Sequence, residues 1–194
     1  FFDRDYNICI LCGRCVRMCQ EVRGTSILAF KYRGPKVRIG PAFGDSHVDG
    51  GCEFCGACVS VCPTGALADK SSKWDGKPDG VEISTCPFCG LGCRIELHRR
   101  EGRLSKVHPH LDPEINDGQL CVRGRFCMPE TIHHHDRARK PMLRRGKYFR
   151  EVSWTEAMDE TAARLKGLEP EDFLRLVSGD ITNESIYAAG KFVR

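Results

Sequence analysis

The sequence predicts an α+β protein in three successive pieces. These are a cysteine-rich front over residues 1–80, a small β-rich segment over 81–150, and the opening of an α/β domain over 151–194. Three observations carry this expectation. Eleven of the thirteen cysteines lie between Cys9 and Cys93, so the first half cannot be an ordinary apolar core. Two strand-like runs flank a turn at Gly102 in the middle piece. The tail reads helix, strand, helix, with hydrophobic spacing that changes accordingly.

Segments that bury little apolar area need staples, and here the staples are thiols. A secreted disulfide scaffold is one reading, but thirteen is an odd count, and cysteines three apart bridge one another poorly. Zinc is another. It takes four ligands, usually as two separated C-x2-C pairs, and has no use for a third cysteine at the same spacing. Cysteines crowded as C-x2-C-x2-C wrap a compact inorganic core better than either.

The first run is Cys9, Cys12, Cys15 and Cys19; the second is Cys52, Cys55, Cys58 and Cys62, followed by Pro63. Both follow the bacterial ferredoxin spacing C-x2-C-x2-C-x3-C, in which the fourth cysteine ligates the other of two [4Fe-4S] clusters. That pairs Cys9, Cys12 and Cys15 with Cys62, and Cys52, Cys55 and Cys58 with Cys19, each fourth cysteine being expected to begin a helix leading away. Gly13 and Gly56 fall where the backbone must turn tightly around inorganic sulfide, and N–H groups there can donate to sulfur. Between the runs, "SILAF" and "VRIG" around Gly34-Pro35 predict a small hairpin.

The third run, "CPFCGLGC", supplies only Cys86, Cys89 and Cys93. After it, "RIELHRREGRLSKV" reads as two short strands about Gly102, and "NDGQLCVRGRFC" holds the last two thiols. Cys121 completes C-x2-C-x3-C-x27-C, a set that a third cluster or a zinc ribbon could use.

"CPFCGLGC", "GQLCVRGRF", "HDRARKPM", "VSWTEAMDE" and "SGDITNES" occur in that order. Together they resemble the N-terminal part of molybdenum or tungsten bis-molybdopterin guanine dinucleotide oxidoreductases, above all formate dehydrogenase catalytic subunits. "DRDYNICILCGRCVRMCQEVRG" and "CGACVSVCPTGALAD" resemble the 2[4Fe-4S] ferredoxin-like insert of cytoplasmic formate dehydrogenase alpha subunits; the large iron–sulfur subunit of respiratory complex I has a related layout. The resemblance implies a third [4Fe-4S] cluster on Cys86, Cys89, Cys93 and Cys121, beside a pterin cofactor. It also implies that the metal-binding cysteine or selenocysteine lies well beyond residue 194, so no catalytic residue for formate is expected in this segment. Where the family usually has lysine two residues after the fourth cysteine, this chain has Arg123, a planar cation in place of a compact one and the residue expected between cluster and pterin.

The remaining features are read beside that resemblance. Cys127 has no role in the pattern and is expected to be a free, partly buried thiol. His133 to His135 are expected at a surface. Arg137 to Arg150 holds seven Lys or Arg and no acid, which predicts a solvated face or a surface against the rest of a larger subunit. Ser153 to Glu156 has the form of a capping box, opening a helix whose apolar face is Trp154, Ala157, Met158, Thr161, Ala162 and Leu165 and which ends at Gly167. "FLRLVSG" predicts a buried strand, and Thr182 or Asn183 a cap for a last helix. In nucleotide-binding-like α/β domains, ligands sit at the carboxyl ends of strands, which would put "SGDITNES", with Asn183, beside a cofactor phosphate.

The formal net charge is +4. Three clusters with their thiolates add roughly −6, so the loaded segment sits near −2 and a nucleic-acid partner is not expected. The longest uncharged run, residues 54–68, is 15 residues and too short for a membrane span. No signal peptide is visible, the chain opens on Phe1, and an upstream segment is expected. The expected partners are other redox subunits, whether flavin- or NAD-linked, hydrogenase or ferredoxin-type, and the remainder of a longer subunit. A reducing cytoplasm is the expected location.

Overall fold

β1 (Phe2–Arg4) pairs antiparallel with β4 (Leu67–Asp69), so the first and last strands of the front piece close on each other. The computed structural model that shows this describes residues 1–42, 44, 46–179 and 181–193, in two units: residues 1–132 and residues 133–194.

Between β1 and β4 in the first unit lie the short helices α1 (Arg14–Arg17) and α2 (Ala57–Ser60) and the hairpin of β2 (Leu28–Lys31) with β3 (Arg38–Pro41). The hairpin sets Leu28 opposite Pro41 and Phe30 opposite Ile39. Its apolar face covers a core of Cys15, Val16, Leu28, Ile39 and Leu67, against which Cys9, Cys19, Cys58 and Cys62 pack. The core is therefore partly sulfur.

Each short helix starts at a left-handed glycine, Gly13 with φ 71° and Gly56 with φ 73°. The residue before the second cysteine is also left-handed in both loops, Leu11 with φ 56° and Phe54 with φ 52°. A left-handed conformation is disfavoured for a residue with a Cβ by about 1–2 kcal/mol. Its recurrence at equivalent positions marks two loops folded around the same kind of object. The fourth cysteines do not begin helices as the sequence suggested. Cys19 sits inside the wide π-type turn Met18–Val22 that extends α1, and Cys62 follows α2 in a non-helical stretch. The cause is the early start at Gly13 and Gly56, which puts the third cysteine region, not the fourth, on the helix.

Next come β5 (Gly80–Thr85), β6 (Arg94–Arg100) and β7 (Arg103–Pro109), an antiparallel meander. Glu101 and Gly102, both at positive φ, form the two-residue turn between β6 and β7. Alternation gives the β6–β7 ribbon two faces. Ile95 and Val107 are fully buried in a core with Cys86, Cys93, Leu120 and Met128. On the other face Glu96, His98 and His108 are half-buried.

A wide turn, Arg123–Cys127, then leads into α3 (Met128–His133). Phe126 from this turn stacks on Phe1, 5.5 Å between centroids, and Phe1 meets Phe54 of the second cysteine loop at 5.2 Å. These aromatic contacts join the front piece to the third-run segment. Ring pairs at such separations are worth about 0.5–1.5 kcal/mol each beyond burial.

The second unit holds the hairpin β8 (Met142–Arg145) and β9 (Tyr148–Glu151), then α4 (Trp154–Leu165) and α5 (Asn183–Val193). The basic hairpin is exposed and ion-paired locally, Lys140 to Glu151 at 3.0 Å and Arg145 to Glu160 at 3.6 Å. Ser153 caps α4 by accepting from the Glu156 N–H at 3.1 Å. The other half of the box is diverted, because the Glu156 carboxylate pairs with Arg150. Trp154 and Met158 stay exposed. "FLRLVSG" forms no strand: residues 173–178 are in no strand of the described structure, and Leu174 and Leu176 are 82% and 88% exposed. A parallel strand needs a neighbour to satisfy its N–H and C=O groups, and composition alone does not supply one. Thr182, not Asn183, caps α5 by accepting from Ser185 N–H at 3.2 Å. Asp180 of "SGDITNES" lies outside the described residues. No helix among the described residues is long and apolar enough to cross a membrane.

Candidate metal centres

Cys9, Cys12, Cys15 and Cys62 line one cavity, closed by Ile39, Pro63 and Leu67. This is the first expected quartet, and the β1–β4 pairing draws its distant member, Cys62, onto the first loop. Burial raises the Cys15 thiol, and the neighbouring Cys12 and Cys62 add to it. Burial also pushes Cys62 up. N–H groups of Leu67, Thr64 and Ala66 and the Thr64 hydroxyl outweigh it, so Cys62 ends below the usual thiol range. The Leu67 N–H lies 3.4 Å from Cys62 Sγ.

The second quartet shows in the electrostatics of its buried member. Cys58 is pushed up to about 12, first by burial and then by Cys55, Cys52, Cys15 and Cys19. Cys52 is raised by burial, with Cys55 and Cys19 adding to it. Cys19 has thus crossed from the first run to the second loop. Its sulfur is 3.3 Å from the Thr25 hydroxyl, and Phe54 N–H donates to Cys52 at 3.4 Å. Thiols raised in this way, as Cys58 and Cys52 are, ionise together only around a strongly cationic partner.

Cys86, Cys89, Cys93 and Cys121 share a pocket with Phe88, Arg23 and Arg123. Burial raises Cys86 and Cys93, and both feel Cys89 and Cys121. Arg123 donates from Nη2 to the Phe88 carbonyl at 2.7 Å and lies over the Phe88 ring, which fixes the cation at the mouth of this pocket. Cys127 is half-buried outside the quartets. Asn183 is exposed in the second unit, at the first residue of α5.

A zinc ion at about 2.3 Å from four sulfurs needs them about 3.8 Å apart. Among the described residues no three thiol sulfurs fall within 4.8 Å of one another; His134, His135 and Asp136, all exposed, are the group that does. As they stand the quartets are wider than one ion needs, with left-handed loops at Leu11 and Phe54 and N–H donors facing the sulfurs of Cys52 and Cys62. The donor set fits [4Fe-4S] clusters, which thiolates alone can hold.

Two residues with a part in these sites were missed in the sequence. Asn116 Oδ1 accepts from Arg94 N–H at 2.7 Å, while Nδ2 donates to the Gln119 carbonyl at 2.9 Å and to the Arg94 and His110 carbonyls at 3.3 and 3.4 Å. It ties the residue after Cys93 to the stretch before Cys121. Asn116→Ala is expected to destabilise the first unit by roughly 2–4 kcal/mol and to loosen the third quartet first. Anaerobic urea unfolding, followed by the third cluster's absorbance, checks both. The other is Arg125. Neither had a sequence signal beyond its type, since Arg94, bonded to Asn116, and Ser60, bonded to Arg125, are remote in the chain.

The polar face of the β6–β7 ribbon has a pH consequence. His108 stacks on His98 with centroids 4.9 Å apart. Burial first, then Arg125, His98 and Lys106, press its pKa down to about 3. The folded state keeps His108 neutral while the unfolded chain takes up a proton below about pH 6.5, so stability falls as pH drops from there towards the folded value. With the ideal slope of about 1.4 kcal/mol per pH unit reduced by solvent screening, on the order of 1 kcal/mol is expected to go between about pH 6.5 and 5. Urea midpoints for the native protein and His108→Gln measure it; the variant is expected to show the shallower decline.

Three known families match successive parts of the chain. Residues 2–68 match the ferredoxin-like domain of NADH-quinone oxidoreductase subunit 3, residues 81–133 the molybdopterin oxidoreductase Fe4S4 domain, and residues 137–194 the molybdopterin oxidoreductase family. The chain is 38% identical over 190 residues to an NADH-quinone oxidoreductase subunit of Rhizobium meliloti, covering 97% of this chain and 22% of that protein. It is 37% identical over 201 residues to the NADPH-Fe(3+) oxidoreductase subunit alpha of Geobacter sulfurreducens, covering 99% and 22%. It is 37% identical over 114 residues to the F420-dependent formate dehydrogenase 2 subunit alpha of Methanococcus maripaludis, covering 59% and 17%. The chain thus spans about a fifth of the length of these relatives.

Proposed function

Because this chain belongs to the molybdopterin oxidoreductase family, we propose that it is the electron-relay end of a longer catalytic subunit, carrying one-electron equivalents through three [4Fe-4S] clusters. The observation that supports this best is the serial placement of the quartets. Cys15 of the first adjoins Cys58 of the second, and the turn that follows Cys121 of the third reaches Cys55 and Cys58 through Arg125. The second quartet is the middle one. Cys12 is exposed at one end of the series and Cys89 and Cys121 at the other.

Bound clusters would supply the one-electron carriers. The protein's part is to hold them in series, to keep water from Cys15, Cys58 and Cys86, and to set potentials through N–H and hydroxyl groups at sulfur. On this reading residues 1–80 hold the front pair, residues 81–150 the third cluster, and residues 151–194 open the pterin-binding domain, with Arg123 and Asn183 toward the cofactor. A molybdenum or tungsten bis-molybdopterin guanine dinucleotide would bind chiefly to the remainder of the subunit, which also covers the apolar face of α4. The reaction we assign is formate oxidation or its reverse, with electrons leaving past Cys12 to a flavin- or NAD-linked, hydrogenase or ferredoxin-type partner in the cytoplasm.

A second reading is an electron-transfer subunit without its own catalytic metal. Near-complete coverage at 37–38% identity by NADH- and NADPH-named relatives favours it, as does Arg123 in place of lysine. Anaerobic mixing of the full-length protein with formate, NADH or NADPH, with metal analysis, separates the two. Formate bleaching of the cluster absorbance with molybdenum or tungsten present supports the first. Bleaching by a nicotinamide alone, with neither metal, supports the second. A protein in which no reductant produces three cluster signals is not this relay.

A further inference from the structure

Arg125 is the largest of the fully buried side chains among the described residues, 1% exposed. Its backbone N–H donates to the carbonyl of Cys121 at 3.0 Å, while its Nη1 donates to Ser60 Oγ at 2.8 Å, 65 residues away. Nε and Nη2 are buried with no hydrogen-bond partner. An orphaned cation of this kind is expensive to keep unless charge nearby rewards it. The negative groups acting on it are Asp69, Cys58 and Cys55. Its Cγ and the Phe126 ring lie against Gly56, the left-handed residue after Cys55; a Cβ there would stand 3.0 and 2.9 Å from them. The preceding residue, Gly124, lies as close to Cys86 Sγ, 3.3 Å from where its Cβ would be. One turn therefore touches two quartets, the third through Cys121 and Gly124 and the second through Arg125.

We propose that Arg125 is a potential-setting residue, its fixed positive charge raising the reduction potential of the cluster on Cys52, Cys55, Cys58 and Cys19 so that this middle site draws electrons from the third. The inference rests on the cluster reading above. One electron passing from the third site to the second takes the second core with its four thiolates from about −2 to about −3 and the third back to about −2, with no proton moved. A guanidinium beside the second core favours the more negative state. Arginine suits the place because its delocalised guanidinium is more weakly hydrated than an ammonium, so burying its charge beside the core costs less. Arg23, which lines the third pocket, is paired with Glu53 at 3.4 Å and adds less net charge.

The test is an EPR-monitored redox titration of the intact protein, with the middle cluster's signal assigned by its loss in Cys52→Ser. Arg125→Met is expected to lower the reduced-to-oxidised ratio of that cluster at fixed potential at least tenfold, a shift of about 59 mV for one electron, leaving the first cluster unchanged. Arg125→Lys is expected to move it far less. Asp69→Asn, which removes an opposing charge and keeps a hydrogen-bond acceptor, is expected to move it the other way, and it serves if Arg125→Met does not assemble. Equal potentials in native protein, Arg125→Met and Asp69→Asn overturn the proposal, as does an equal shift in the Lys and Met variants. Iron content and the three signals in the native protein report separately on the cluster reading itself.

Discussion

Cys121→Ala is expected to remove the third cluster and leave the front two intact. Iron should fall by about four per chain, with one EPR signal lost. Cys121 is exposed and 28 positions from the nearest other ligand in its set, so the fold holds it there through Asn116 and the Arg123–Cys127 turn rather than through local spacing. Removing one thiolate leaves Cys86 and Cys93, both raised by burial, with one fewer partner for a cationic core. Cys127→Ala is the control. It alters a half-buried thiol at the end of the turn that follows Cys121 and should leave the iron content unchanged. Loss of iron in both variants would mean that the turn, and not Cys121, is what matters; loss in Cys127→Ala alone would reassign the ligand.

The second large effect is expected at Gly56. Alanine there must adopt φ 73° and place its Cβ 2.9 Å from Phe126 Cζ and 3.0 Å from Arg125 Cγ. The left-handed backbone is disfavoured by about 1–2 kcal/mol and overpacking adds about 1–3, for a total of about 2–5 kcal/mol. Phe126 cannot retreat easily, since Phe1 and Phe2 stand against it. Two other glycines grade the expectation. At Gly13 a Cβ meets Phe30 Cζ at 3.1 Å and the flexible end of Arg17 at 3.4 Å, so a smaller loss is expected. At Gly102 it meets nothing within 4 Å, leaving only the backbone component of about 1–2 kcal/mol. Anaerobic denaturant unfolding of the three alanine variants should rank them Gly56, Gly13, Gly102. A flat series would show that the contacts with the Arg125–Phe126 turn carry no energy.

The cysteine groupings were legible in the sequence because their C-x2-C-x2-C spacing is short and repeated. The structure brings Cys62 to the first loop and Cys19 to the second. The β6–β7 ribbon was legible for a related reason: alternation and a Gly turn are local signals. What escaped was remote. Arg125 reads as one more basic residue in "CVRGRFC", and only the packing of its turn on Gly56 and Ser60 shows that it is buried. Asn116 reads as a turn former, yet its side chain bonds four backbone groups spread over 26 residues. The second unit was least legible. "FLRLVSG" has the composition of a buried strand, but strand formation depends on neighbours that composition does not supply. The box at Ser153 closed on one side only, because Arg150 offered the Glu156 carboxylate a charged partner.

The central claim is that twelve of the thirteen cysteines hold three iron–sulfur cores in series. Iron, sulfide and zinc per chain, measured on anaerobically prepared protein alongside the EPR spectrum of the reduced state, test it most directly. About twelve irons with as many sulfides, no zinc and three interacting spin systems are predicted. About eight irons with one zinc would contradict it.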